Sequence, residues 1–198
     1  MTNIVALKAA NAARWVKANI APKRLHEVQQ TAQRLCAPNA KRRYQAIAQA
    51  VWGNERRWYF VAIVHEREAS QRWDRQLGQG DPLAHVSTHR PKGIGPFLAH
   101  PGDAPGNDAF HRCAVFTLQR CAPFPAKWTD WSAGGVLTLL EAYNGFGYED
   151  VHHEASPYLW GATDQEEWGK YTSDGHWSAH VWDMQVGTAA MLKAMMLI

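Results

Sequence analysis

Residues 59–83, YFVAIVHEREASQRWDRQLGQGDPL, decide how the rest of the chain is interpreted. The first six residues are all apolar, and a helix that is apolar on nearly every side is typical of the centre of a domain. This run ends in His65, Glu66 and Glu68 and is followed by a Gly-Asp-Pro loop. Carboxyl groups at the end of a central helix lie between core and groove, where desolvation raises their pKa. A raised carboxyl pKa is what a general acid near neutral pH requires.

The two glutamates cannot both serve one site. Residues two apart on a helix point about 200° apart, so Glu66 and Glu68 cannot both face the same groove. They are therefore not a paired-carboxylate site, and one of them is expected on the solvent side. Glu68 also precedes Arg72 by four residues, and a surface ion pair between these two is the competing interpretation of Glu68.

Composition and charge narrow the class of protein. The 198 residues suit one domain, or one domain with a small appendage. A net charge of +3, with Lys and Arg clustered on what are expected to be solvated helix faces, does not indicate nucleic acid. No segment has the apolar length of a membrane span, and the N-terminus does not have the pattern of a signal peptide. We expect a monomer that is made in the cytoplasm and does not insert into membranes.

Aromatic residues, histidines and cysteines carry further information. Ten tryptophans and ten histidines are many for this length, and tryptophan rings favour recognition surfaces, sugar faces included. The three cysteines have no metal-site spacing, and their odd number argues against a disulfide framework. Cys113 and Cys121 are predicted to be buried thiols.

Sequence patterns predict a mainly α fold with two long irregular segments. Helices are predicted over residues 2–18, 23–36, 41–52, 55–70, 108–121, 131–143 and 183–197, with Asn54 capping the fourth. The Gly- and Pro-rich residues 78–107 form a loop with room for a short β-hairpin at AHVSTHRPKGIGPF, residues 84–97. Residues 144–182 are aromatic and rich in turns, with Asp174 as a turn residue. These two segments are the expected walls of a groove.

Four segments in order resemble a known family. AIVHEREAS…GQGDPL, LLEAYNGFGY, SPYLWGAT and GKYTSDG together resemble bacterial and phage peptidoglycan hydrolases with a lysozyme-like fold. The first and second also look like soluble lytic transglycosylases and goose-type lysozymes. The match covers residues 55–197, so the resemblance implies a catalytic domain over residues 55–198. Residues 1–54 match nothing and are interpreted as a helical cap of the same fold.

This resemblance implies roles for particular residues. The Glu of Val-His-x-x-Glu is Glu68, which becomes the general acid, although Ala69 stands where the family has Ser. Glu66 is the rival, because helical chitinases of the wider superfamily place the acid directly after a His. Tyr143 and Asn144 would position the acetamido group or the acid itself. The implied substrate is peptidoglycan, cut at the β-1,4 bond between N-acetylmuramic acid and N-acetylglucosamine by an endolysin that reaches the cell wall after release. No cofactor is implied.

The positive charge that develops at the anomeric carbon must also be stabilised. An inverting enzyme holds a water with a second carboxylate about 6.5–9.5 Å from the first, and Asp81 in the loop after the helix is the candidate. Gly-Asp-Pro is also simply a good turn, and without a second carboxylate the sugar's own 6-hydroxyl can attack, as in lytic transglycosylases. Tyr158, Trp160 and Tyr171 are expected to line sugar subsites by stacking, with packing as the alternative.

Two other classes remain open. A zinc amidase or peptidase would use the histidines, although adjacent His residues rarely ligate one ion and there is no His-Glu-x-x-His motif. Its candidate ligands are His152, His153 and Glu154, completed by His65, His85, His89 or His111. A non-catalytic wall-binding module is the third class, but such modules are usually small and repetitive, unlike this chain.

Overall fold

The computed structural model of the chain describes residues 2–173 and 175–198, so Asp174, the expected turn residue, lies outside the described residues. It is mainly helical with one small antiparallel sheet, which confirms the expected mainly α class with a short β-hairpin. The α-helices are α1 (Ile4–Lys17), α2 (Leu25–Cys36), α3 (Pro38–Trp52), α4 (Trp58–Ala69), α5 (Ala109–Arg120), α6 (Ala133–Asn144), α7 (Pro157–Trp160) and α8 (Thr188–Met195). Short 3₁₀ turns cover Pro22–Arg24, Glu55–Arg57 and Pro125–Lys127, and a π-helical turn covers Tyr148–His152.

Side-chain caps explain where several helices begin. The Asn54 side chain accepts a hydrogen bond from the Arg56 N–H, which starts the turn that leads into α4 as predicted. Asp108 caps α5 in the same way, through the N–H of His111. Gly53 ends α3 with a left-handed backbone that glycine adopts without strain.

The β-hairpin lies at a different place from the one predicted. Strands β1 (Lys170–Ser173) and β2 (His176–Ser178) pair antiparallel, whereas residues 84–97 contain no strand. In that segment the Ser87 N–H bonds to the Ile94 carbonyl and the Gly93 N–H bonds to Ser87, which makes a turn without a ladder. The prediction for residues 84–97 was wrong because Gly and Pro interrupt the runs on both sides of the turn, and proline cannot donate to a ladder.

Two compact units make up the chain. The continuous unit is Arg34–Thr129, and the discontinuous unit is Met1–Gln33 together with Asp130–Ile198. These boundaries differ from the expected one at residue 54, because α3 packs on α4 and α5 within the continuous unit. The long segment 78–107 belongs to the continuous unit and the segment 144–182 to the discontinuous one.

The continuous unit is built around α4. Every residue from Phe60 to His65 is completely buried, as the apolar run predicts for a central helix. Its fully buried large side chains are Leu35, Tyr44, Ile47, Phe60, Ile63, Leu77, Phe110 and Leu118. Cys113 and Cys121 are buried free thiols, as predicted, and burial raises the pKa of Cys113 to about 11.

The discontinuous unit joins both ends of the chain. Helix α1 packs on α6, and α7 and α8 pack on each other and on α6. Asn11 on α1 donates a hydrogen bond to the buried carboxylate of Glu141 at 3.0 Å. The chain at Asn19 is also tied to Asp164 by backbone and side-chain hydrogen bonds. Within the described residues, no helix combines the length and apolarity needed to cross a membrane.

Candidate functional site

Helix α4, which carries the candidate carboxyl groups, ends in a tight turn. Ser70 and Gln71 both have a left-handed backbone, with φ of 49° and 57°, which is uncommon outside glycine. Reciprocal hydrogen bonds between the Gln71 side chain and Arg34 support this turn, at 3.2 and 3.3 Å. Arg72 therefore lies beyond the helix, and its guanidinium pairs with Asp74. The helical i,i+4 geometry on which an ion pair between Glu68 and Arg72 was expected is not present.

Glu66 is held by an arginine. Both carboxylate oxygens accept hydrogen bonds from the Arg34 guanidinium at 3.0 Å, which is the two-point geometry of a strong Arg–carboxylate pair. Burial raises the pKa of Glu66, and the positive charges of Arg34 and Arg67 act against this rise. The two features favour opposite roles, since a raised pKa suits an acid and the arginine pair favours the ionised carboxylate.

Glu68 lies in the last turn of α4 and is half-buried. The Gly-Asp-Pro loop returns to this residue: a Cβ on Gly80 would lie 2.4 Å from the Glu68 carbonyl oxygen. Gly80 also has a φ of 71°, so both its backbone conformation and the lack of a side chain are required there. The structure therefore brings the loop that carries Asp81 against the backbone of the proposed acid.

Asp81 is a buried carboxylate with an organised set of donors. Its side chain is only 9% exposed, and its Oδ2 accepts the N–H groups of Thr88 and His89 at 2.7 and 3.0 Å. Its Oδ1 lies 2.7 Å from the Nδ1 of His89. Burial acts to raise the pKa of Asp81, but the hydrogen bonds and charge of His89 and the N–H of Thr88 outweigh it and lower the pKa. Asp81 is therefore ionised at neutral pH.

The loop around Asp81 is held by a buried glutamine. Gln76 is completely buried, and its Nε2 lies 2.8 Å from the His85 carbonyl and 3.2 Å from the Pro82 carbonyl. The Gln76 N–H also donates to the Asp81 carbonyl at 2.7 Å. Glycine, proline and polar residues therefore form an ordered scaffold here instead of a loose connection.

His65, next to the glutamates, has a structural place. Its Nε2 donates to the Arg72 carbonyl at 3.0 Å, so its Nδ1 accepts the Tyr44 hydroxyl, also at 3.0 Å. The ring packs among Tyr44, Trp73 and Phe110. Burial lowers the pKa of His65 to about 4, so it is neutral at neutral pH.

The predicted sugar-contacting residues all belong to the discontinuous unit. Tyr143 is half-buried and Asn144 exposed at the end of α6. Tyr171 on β1 is half-buried, and its hydroxyl lies 3.0 Å from the Nε2 of His152. Tyr158 and Trp160 on α7 are 4% and 1% exposed, so their rings pack in the core. A ring buried on both faces offers no surface to a sugar, and we assign these two to packing.

The hairpin and its surroundings display other aromatic rings. Trp177 on β2 stacks on His152 with the ring centroids 3.9 Å apart, and it covers Gly169 closely. Trp168 is 62% exposed, and its ring meets Trp182 edge-on at 4.9 Å. Of the tryptophans in this segment, Trp168 is the most exposed, and stacking on a sugar requires an accessible ring.

The remaining histidines are dispersed. His153 and His85 are exposed and His111 is half-buried. Among residues 2–173 and 175–198, no three His, Cys, Asp or Glu side chains are grouped so that they could hold a metal ion.

A depression of about 410 Å³ lies along α5. Its lining residues are Asn107, His111, Arg112, Val115, Phe116, Gln119 and Arg120. None of the residues predicted for the glycosidase site lines this depression.

Sequence reasoning missed two partners of the predicted residues. Arg34 lies 32 positions before Glu66, so no local pattern connects them. The sequence pattern places His89 only among the candidate zinc ligands, although its separation of eight residues from a Gly-Asp-Pro aspartate puts both residues in one loop. A histidine in the same Gly/Pro-rich segment as a candidate carboxylate was the available signal.

Comparisons with protein-family models, with curated proteins and with solved structures found no match to this chain.

Proposed function

We propose that this protein is a peptidoglycan glycan-strand hydrolase that cleaves the β-1,4 bond between N-acetylmuramic acid and N-acetylglucosamine. The observation that carries the proposal is the docking of the Gly80–Asp81 loop on the Glu68 backbone, at the end of a central helix. This arrangement combines a carboxyl-bearing helix end with a buried carboxylate whose pKa is lowered. Carboxyl groups with contrasting environments are the usual basis for dividing acid and base roles at a glycosidase site.

Glu68 is the proposed general acid and Glu66 the rival. If Glu66 carried the proton needed for donation, one carboxyl oxygen would be a hydroxyl and the charge-assisted pair with the Arg34 guanidinium would be lost. That loss disfavours Glu66 as the acid despite its raised pKa. Glu68, two positions further along α4, then delivers its proton to the leaving oxygen of the glycosidic bond.

Asp81 supplies the negative charge that stabilises the positive charge developing at the anomeric carbon. Its ionised carboxylate is retained at neutral pH by the hydrogen bonds from Thr88 and His89. Tyr143, Asn144 and Tyr171 are proposed to bind the sugar chain, and Trp168 adds an exposed stacking surface. The substrate lies in the cell wall, so the protein acts there after release from the cytoplasm.

The first experiment is digestion of purified peptidoglycan followed by mass spectrometry of the soluble products. Reducing muramic ends indicate hydrolysis, and 1,6-anhydro ends indicate transglycosylation. A parallel sample treated with a chelator tests the zinc alternative: free peptides with intact glycan, lost on chelation, would refute the glycosidase proposal. Peptidoglycan binding without any soluble product would instead indicate a wall-binding module.

Matched variants assign the acid. Glu68→Gln is expected to lower the cleavage rate about 10²–10⁴-fold, the usual contribution of general acid catalysis, with an unchanged unfolding midpoint. Glu66→Gln is expected to keep most of the rate, and Glu55→Gln, an exposed glutamate of the same unit, is the control. If Glu66→Gln abolishes cleavage and Glu68→Gln does not, the role passes to Glu66.

A further inference from the structure

Asp81 and His89 form a dyad in which one partner is buried and the other is presented to solvent. The side chain of Asp81 is 9% exposed and that of His89 is 75% exposed, although Oδ1 and Nδ1 are only 2.7 Å apart. The buried carboxylate therefore contacts an imidazole that itself lies largely in solvent. An exposed histidine oriented by a buried carboxylate is the arrangement that general-base catalysis uses elsewhere.

The hydrogen bonds determine which nitrogen is available. An ionised carboxylate only accepts hydrogen bonds, so the Nδ1 of His89 must carry the proton that bonds to Asp81. In neutral imidazole the Nε2 then has a free lone pair. The Asp81 contacts therefore hold His89 in the tautomer that can accept a proton at its exposed end.

The loop gives the dyad a rigid base. Two backbone N–H groups fix the second carboxylate oxygen, and the Ser87 hydroxyl bonds to the Pro91 carbonyl at 2.7 Å across the turn that contains His89. At its other end the loop rests on the carbonyl of Glu68 through Gly80. The dyad is thus built onto the same helix end that carries the proposed acid.

We infer that His89 is the general base of the reaction and that Asp81 is a positioning residue that acts through it. This inference rests on the proposed function and moves the base role from the Asp81 carboxylate to the exposed imidazole. Two of the contacts that Asp81 makes are to backbone N–H groups, and its burial leaves little space for a sugar and a water to approach it.

The chemical step balances with these two residues and the substrate. The Nε2 of His89 takes a proton from the attacking water, or from the sugar 6-hydroxyl in transglycosylation. At the same time the oxygen of that water or hydroxyl bonds to the anomeric carbon. The bond from that carbon to the leaving oxygen breaks, the electron pair stays on the oxygen, and Glu68 protonates it. The imidazolium then loses its proton to solvent and the Glu68 carboxylate regains one.

Kinetics of histidine variants test the base role. On soluble glycan oligomers, His89→Gln is expected to lower kcat about 10²–10⁴-fold with little change in KM. His85→Gln, an exposed histidine of the same loop, is the matched control and should keep the wild-type rate. Added imidazole should restore part of the rate lost in His89→Ala, which a merely structural histidine would not show.

A spectroscopic measurement tests the role of Asp81. In ¹⁵N NMR of the imidazoles at pH 8, the wild-type His89 should show its proton on Nδ1. In Asp81→Asn the carboxamide donates to Nδ1, so the proton should move to Nε2 and kcat should fall about as far as in His89→Gln. A proton on Nε2 in the wild-type protein would refute the arrangement.

The outcomes separate this inference from the proposed function. If wild type cleaves glycan strands and His89→Gln keeps a rate within about threefold of it, far less than a base contributes, His89 is not the base and the proposed function stands. If wild type releases no glycan fragments, the proposed function fails and the base role fails with it. Loss of rate in His89→Gln, rescue of His89→Ala and the tautomer shift in Asp81→Asn together support the inference.

Discussion

Replacing Gly80 with alanine tests whether the Asp81 loop rests on the helix end. The new methyl group would lie 2.4 Å from the Glu68 carbonyl oxygen, about 1 Å closer than ordinary van der Waals contact. Forcing an extra carbon into such a contact costs about 1–3 kcal/mol, and a non-glycine residue at a φ of 71° costs about 1–2 kcal/mol more. We therefore expect Gly80→Ala to lower the free energy of unfolding by about 2–5 kcal/mol.

Gly93 provides the matched control. Its φ is 78°, but a Cβ there would meet nothing within 4 Å. Gly93→Ala should therefore lower the free energy of unfolding only by the cost of the backbone conformation, about 1–2 kcal/mol. Urea unfolding followed by tryptophan fluorescence compares the two variants. Equal losses in both, within about 0.5 kcal/mol, would contradict the docking of the loop on Glu68. A loss in Gly80→Ala that exceeds that of Gly93→Ala by about 1–3 kcal/mol would support it.

Three further predictions concern buried groups and exposed rings. The pKa of His65 falls from 6.5 to about 4 on folding, so the unfolded chain binds the proton first and stability falls as pH drops from 6.5 towards 4. Between pH 7 and pH 5 this lowers the free energy of unfolding by about 2 kcal/mol. In urea unfolding, His65→Gln should therefore lose about 2 kcal/mol less than the wild type over the same pH range. Burial raises the pKa of Glu141, which makes its charge costly at pH 7, so Glu141→Gln should raise the free energy of unfolding there; a decrease would contradict this. Trp160→Ala should cost about 3–5 kcal/mol of stability, whereas Trp168→Ala should leave stability within about 0.5 kcal/mol and weaken sedimentation with peptidoglycan.

Local patterns predicted the helices well. Central burial of α4 followed from its apolar run, and the cap at Asn54 followed from residue type alone. The mainly α class needs no more than such periodicity, because each helix satisfies its own backbone hydrogen bonds. The hairpin predicted at residues 84–97 was misplaced, and the observed strands Lys170–Ser173 and His176–Ser178 lie in a segment whose turn and aromatic residues predicted no strand. Strand pairing depends on which backbone groups meet, and residue type alone does not decide this.

For the site, residue order alone predicts which carboxyl groups come at the end of a buried helix and that a Gly-Asp-Pro loop follows them. Their surroundings come from the tertiary structure, which places Arg34 on Glu66, Gly80 against Glu68 and His89 on Asp81. It also placed Trp160 in the core and Trp168 in solvent, although both occur in the same aromatic segment. Burial, hydrogen bonding and pKa depend on groups that folding brings together from distant positions, whereas helix formation depends on neighbours within a few residues.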